Sequence, residues 1–123
     1  MVGTIRSNKG FYVGDICYAL SDEIYDKVWG EKYGYRDGEY EANGYKFAVA
    51  GTAYGDGAFM DQCYRVYGVD AGVIGVVPLE LVRAEYRNGG NIFEGTTEAI
   101  YSFANGRFNI LFDNETRVEI DTH

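Results

Sequence analysis

Short apolar runs separated by Gly, Asn and Asp divide the chain into strand-sized pieces. Phe11 to Leu20 reads as a strand with apolar residues on both sides of Gly14-Asp15. Ser21 follows, then Asp22 and Glu23, a hydroxyl cap with two carboxylates in the positive first turn of a helix. Ile24, Val28 and Tyr25 would face the core of that helix, and Gly30 would end it. Residues 30–38 read as a loop. Glu39 to Ala42 and Tyr45 to Ala50 flank Asn43-Gly44, the pair that a type I′ hairpin turn selects because both positions need positive φ.

Beyond Gly51 the glycine-rich stretch to Gly57 is too interrupted for a strand. Phe59–Met60 and Tyr64–Tyr67 flank Asp61-Gln62 as a second hairpin, and Val73 to Val77 is a β-branched, buried strand. Pro78 to Val82 allows at most a turn of helix. Ile92–Phe93, Ala99 to Phe103, Phe108 to Phe112 and Arg117 to Ile120 are strands, the last three joined as a meander by Asn105-Gly106 and Asp113-Asn114. About seven to nine short strands and one short helix give a mainly β (α+β) fold. The expected architecture is a bent antiparallel sheet or a β-roll, with the helix covering one end. Crossover helices are missing, which excludes a parallel α/β sheet.

Composition narrows the reading. The chain has 123 residues, one domain's worth, with 17 Gly, one Pro, 12 Tyr and seven Phe. Its turns are therefore glycine turns, and its aromatic residues suit half-buried sheet surfaces. No apolar run is long enough for a membrane helix, and Met1 to Gly14 lacks the apolar core of an export signal, so a cytoplasmic location is expected. Cys17 and Cys63 then read as reduced thiols. Their spacing fits no zinc pattern, and the single histidine, His123, stands at the end of the chain. No metal or other cofactor is expected. A serine triad and a cysteine nucleophile both lack a well-placed base.

Net charge is −8, which disfavours direct contact with nucleic acid or anionic lipid and permits a basic protein partner. Residues 15–41 hold eight acids against Lys27, Lys32 and Arg36. In this stretch Asp26, Glu31, Asp37, Glu39 and Glu41 alternate with Trp29, Tyr35 and Tyr40, aromatic anchors in a rim of charge. Asp26, Trp29, Tyr35, Asp37, Glu39 and Glu41 are the expected partner-binding residues. A basic host protein is the expected partner, with the carboxylates imitating phosphates, and the chain is expected to bind rather than catalyse. Homo-oligomers are compatible with open strand edges.

Three glycine-punctuated turns carry the other candidate chemistry. They are Gly14-Asp15-Ile16-Cys17-Tyr18, Thr52-Ala53-Tyr54-Gly55-Asp56-Gly57 and Val69-Asp70-Ala71-Gly72. Read separately they are three turns in which Asp accepts backbone N–H groups. Read together, Asp15, Asp56 and Asp70 meet in a small-ligand or hydrolytic pocket lined by Tyr18, Tyr54 and Tyr64. Paired carboxylates make these three aspartates the candidates for acid–base catalysis. Arg65, Arg83 and Arg87 would let such a pocket hold a nucleotide-like anion. Asp56 to Asp61 lacks the alternating acids of an EF-hand loop.

Over roughly residues 11–82, these three motifs resemble a family of small uncharacterised proteins of Firmicutes and their phages. A looser likeness extends to a larger family that pairs an early Gly-Asp with a later Val-Asp-Ala-Gly. The resemblance implies a mainly β fold of phage or mobile-element type and no particular activity.

Overall fold

A computed structural model describes residues 1–86 and 89–123. Among them are eleven strands: β1 (Val2–Arg6), β2 (Gly10–Gly14), β3 (Gly38–Ala42), β4 (Tyr45–Gly51), β5 (Gly57–Met60), β6 (Val66–Val69), β7 (Val73–Pro78), β8 (Gly90–Glu94), β9 (Glu98–Ala104), β10 (Arg107–Phe112) and β11 (Arg117–Asp121). They form a four-stranded sheet in the order β1-β9-β10-β11, a five-stranded sheet in the order β3-β4-β7-β2-β8, and the hairpin β5-β6. The pairings among them are antiparallel. The fold is mainly β, with two sheets packed face to face.

The two sheets differ in what their faces cover. In the four-stranded sheet, burial alternates residue by residue along β10 and β11, so one face is core and the other is wet. Its inner residues, including Ile5, Tyr101, Phe103, Phe108, Ile110 and Phe112, meet Phe11, Val13, Ile74, Val76 and Phe93 of the five-stranded sheet. Phe112 stacks on Phe93 at 5.0 Å and tilts against Phe11 at 5.6 Å. The centre of the five-stranded sheet, β4, β7 and β2, is buried on both faces. Tyr12, Phe47, Val49, Val73 and Val77 point the other way, toward a helical layer. Two-sided burial is why β2 and β7 read as unbroken apolar runs.

The helical layer departs from the sequence expectation in three ways. Phe11 to Leu20 is not one strand: β2 stops at Gly14, and a short helix, α1 (Ile16–Ala19), begins under an Asp15 cap. The Asp15 side chain accepts the Cys17 N–H, which satisfies an N–H that the helix start leaves without a partner. Secondly, the expected helix is a π-helix, α2 (Glu23–Lys32), closed by wider turns than an α-helix. Its inward pair is Ile24 and Trp29, five residues apart, while Val28 and Tyr25 are half-buried against them. Gly30 does not end it. The Tyr35 ring lies where a side chain on Gly30 would stand, and the reversal comes at Gly34 (φ 68), whose N–H returns to Gly30 C=O at 2.7 Å. Thirdly, the helices cover a face of the five-stranded sheet, not an end. They can do so because β7 carries Gly75, where a Cβ would come within 2.5 Å of Ile16 Cγ2.

Asn43-Gly44 (φ 52, 84) and Asn105-Gly106 (φ 52, 76) form the expected turns. Leu79–Leu81 is a single 3-10 turn. The sequence reading missed β1, whose apolar content is slight.

Candidate functional site

The three glycine-punctuated turns converge, but through their backbones. Gly14 ends β2 and drops Asp15 into the interior, where it is fully buried. Asp15 Oδ2 accepts the N–H groups of Asp70 and Ala71, both at 2.7 Å, and Oδ1 accepts that of Cys17 at 2.9 Å. Tyr12 Oη donates to Asp15 C=O at 2.8 Å. Gly72, next in the same turn, accepts the Thr52 N–H at 3.0 Å. A Cβ on Gly72 would stand 3.6 Å from Gly55 Cα and 3.9 Å from Asp56 Oδ1. One carboxylate therefore ties β2, α1 and the start of β7 together, and a carbonyl ties the 52–57 loop to them. Burial and the Asp15 charge push the Cys17 thiol up to about 12, so it stays protonated and unreactive at neutral pH.

The side chains named with these turns do not share a cavity. Asp56 and Asp70 are exposed. Tyr18 lies over Gly89. Tyr54 is 78% exposed and stands edge-on to His123, with ring centroids 6.1 Å apart. Tyr64 is 80% exposed at a turn residue with φ 64. Among the described residues, no three His, Cys, Asp or Glu side chains gather as a metal site would need. Arg65 pairs with Asp61 at 3.0 Å and lies over the Phe93 ring. Arg83 is half-buried, its Nε without a partner among the described residues. Arg87 lies outside the described residues.

In the acidic stretch the roles separate. Trp29 is only 3% exposed, packed against Tyr25 and Tyr35 at 5.2 Å each, and its indole N–H donates to Arg36 C=O at 2.9 Å. It organises the helical layer from within. Tyr35 is half-exposed at its edge. Asp37 Oδ1 accepts the Gly51 N–H at 3.0 Å. Glu39 Oε1 accepts the Tyr101 hydroxyl at 2.8 Å, and its Oε2 lies 3.8 Å from Lys46 Nζ. Burial, and then the Glu39 hydrogen bond, raise the Tyr101 pKa well above the usual phenol value. Asp26 and Glu31, five apart on α2, point to solvent, as does Glu41 on β3.

Several depressions border these residues. A cleft of about 630 Å³ includes Asp37, Thr52, Tyr54, Asn105 and His123. A groove of about 390 Å³ runs between β1 and the tip of the β3-β4 hairpin, lined by Thr4 to Asn8 on one side and by Glu41, Tyr45 and Lys46 on the other.

The sequence reading also missed the Asp61 network. Asp61 accepts from Tyr67 Oη (2.8 Å), Arg65 Nη1 (3.0 Å), Cys63 N–H (2.8 Å) and Arg65 N–H (3.1 Å). Burial works to raise its pKa, but these donors outweigh it, and the net shift is downward. The visible signal was an Asp two residues before Cys63 in a hairpin turn, the spacing of an Asx turn.

Comparisons with protein-family models, with curated protein sequences and with solved structures each return no match. No helix among the described residues is long and apolar enough to cross a membrane.

Proposed function

We infer that this chain is a non-catalytic, acidic protein-binding domain that engages a basic surface of another protein, in a cytoplasmic setting. One observation carries the reading. Six carboxylates of the 22–41 stretch, those of Asp22, Glu23, Asp26, Glu31, Asp37 and Glu41, are exposed and enter no ion pair among the described residues. They flank the β3 margin of the five-stranded sheet, α2 from one face and Glu41 from the other. Carboxylates so disposed can stand where the phosphates of a nucleic acid would, which is how an inhibitor of phage type occupies a basic channel. Lys27 and Lys32 interrupt the row on α2, so recognition depends on register as well as charge.

Asp37 and Glu39 are poor places to test this, because both hold internal hydrogen bonds. The informative variant carries Asp26→Lys, Glu31→Lys and Glu41→Lys together. Binding is measured by calorimetry against a panel of lysine- and arginine-rich peptides at rising salt. The expected result is at least about tenfold weaker binding for the variant and a steep loss of wild-type binding with salt. Binding indifferent to both the substitutions and the salt contradicts the reading.

A further inference from the structure

We propose that β1 is a docking edge: an extended segment of the partner, with a basic side chain opposite Glu41, adds to β1 as a fifth strand of the four-stranded sheet. This deepens the reading above and rests on it.

The main-chain pattern supplies the first argument. Met1 and Phe103 exchange hydrogen bonds at 2.9 and 2.8 Å, and the Ser7 N–H reaches Thr97 C=O at 3.0 Å. Between these anchors the register is Gly3↔Tyr101 and Ile5↔Ala99. Antiparallel ladders alternate, so Met1, Gly3, Ile5 and Ser7 address β9 while Val2, Thr4 and Arg6 turn their N–H and C=O groups away. Those groups have no hydrogen-bond partner within the described residues. An uncovered row of this kind is a template for strand addition.

The groove supplies the second argument. It lies beside that row, and about 390 Å³ accommodates a few residues of extended chain. The hairpin tip forms its far wall. A strand added to β1 would lie on the side where the Glu39 carboxylate approaches Gly3.

Charge supplies the third. Of the ionised groups at the groove, Arg6 is held by Glu98 at 3.0 Å, and Lys46 lies 3.8 Å from Glu39. Glu41 alone makes no ion pair among the described residues, although Lys46 stands opposite it in the β3-β4 register. A lysine or arginine facing it completes the site, and an acidic side chain there is repelled.

The probes are short capped peptides that alternate Val or Thr with Lys, the same peptides with Glu in place of Lys, and the Lys peptides N-methylated along one edge. Amide exchange and amide chemical shifts of the isotopically labelled protein are followed. The Lys peptides should slow exchange at Thr4 and Arg6 and shift Glu41. The Glu and N-methylated peptides should bind about tenfold more weakly or not at all. Thr4→Pro, which removes an outward N–H and leaves the β9 ladder intact, should weaken the Lys peptide about tenfold, with near-ultraviolet circular dichroism showing that the fold persists. Lys peptides that bind while Thr4 and Arg6 remain unprotected overturn this inference and leave the basic-partner reading standing. Failure of every basic peptide to bind overturns both. Protection of Thr4 that rises with protein concentration alone overturns it in favour of pairing between two copies.

Discussion

The four-stranded sheet has two margins, and the molecule treats them differently. At β11 the margin is closed. The Gln62 carboxamide donates to Arg117 C=O at 2.6 Å and accepts the Glu119 N–H at 2.9 Å, imitating the peptide group of a neighbouring strand. Asp61 forms an antiparallel bridge with Ile120 just beyond. Among the described residues β1 has no such cover, and Val2, 75% exposed, stands at the open margin. Natural sheets shield their edges because open ones recruit other chains. Covering one margin with a dedicated hairpin turn while leaving the other bare, beside an unpaired carboxylate, is the pattern of a sheet that receives a strand on one side only.

The largest effect is expected at Asp61. Its side chain is fully buried and carries the turn that presents Gln62 to β11. Asp61→Ala leaves the Tyr67 hydroxyl unpaired in the core, and should cost about 2–4 kcal/mol in urea unfolding. It should also speed amide exchange along β11 and not along β1. Asp61 also makes the β11 margin sensitive to acid. Its folded-state pKa lies below that of the unfolded chain, so its contribution is complete above the unfolded value and is lost as pH falls through the folded one. Asp61→Asn should flatten that part of the stability profile at acid pH, measured by thermal unfolding.

Proline sharpens the contrast further. Thr4 and Glu119 both turn their N–H groups outward, but among the described residues only the Glu119 group is bonded. Glu119→Pro should therefore cost about 1–2 kcal/mol more than Thr4→Pro in chemical denaturation. Equal costs would mean that the β1 groups have partners of their own. Gln62→Ala should give the smallest effect, about 1 kcal/mol, with the Glu119 amide exchanging as fast as Thr4.

Much of this was legible in the sequence, in a way that follows from local physics. Asn-Gly turns fixed two hairpins because few other residue pairs accept positive φ twice in a row. The β-branched run at Val73 marked the centre of a doubly covered sheet. What escaped depended on partners distant in sequence. Nothing local distinguishes Asp15 from any Asp beside Gly, because its role comes from N–H groups at residues 70 and 71. Trp29 looked like a surface anchor because an α-helical period turns it away from Ile24, and the π-helix brings the two together. Gly3 and Thr4 hide β1, since an edge strand on a wet face needs few apolar residues. The sequence left open whether the three Asp-Gly turns stand apart or meet, and their joining through backbone groups was not readable.

β1 pairs only with β9 among the described residues, and its other side is open to a strand. The most direct measurement is the set of interproton contacts between the labelled protein and the Lys-alternating peptide. The account predicts close Hα and amide contacts from the peptide to Val2, Thr4 and Arg6 in a regular cross-strand ladder. Contacts confined to α2, with β1 silent, would contradict it.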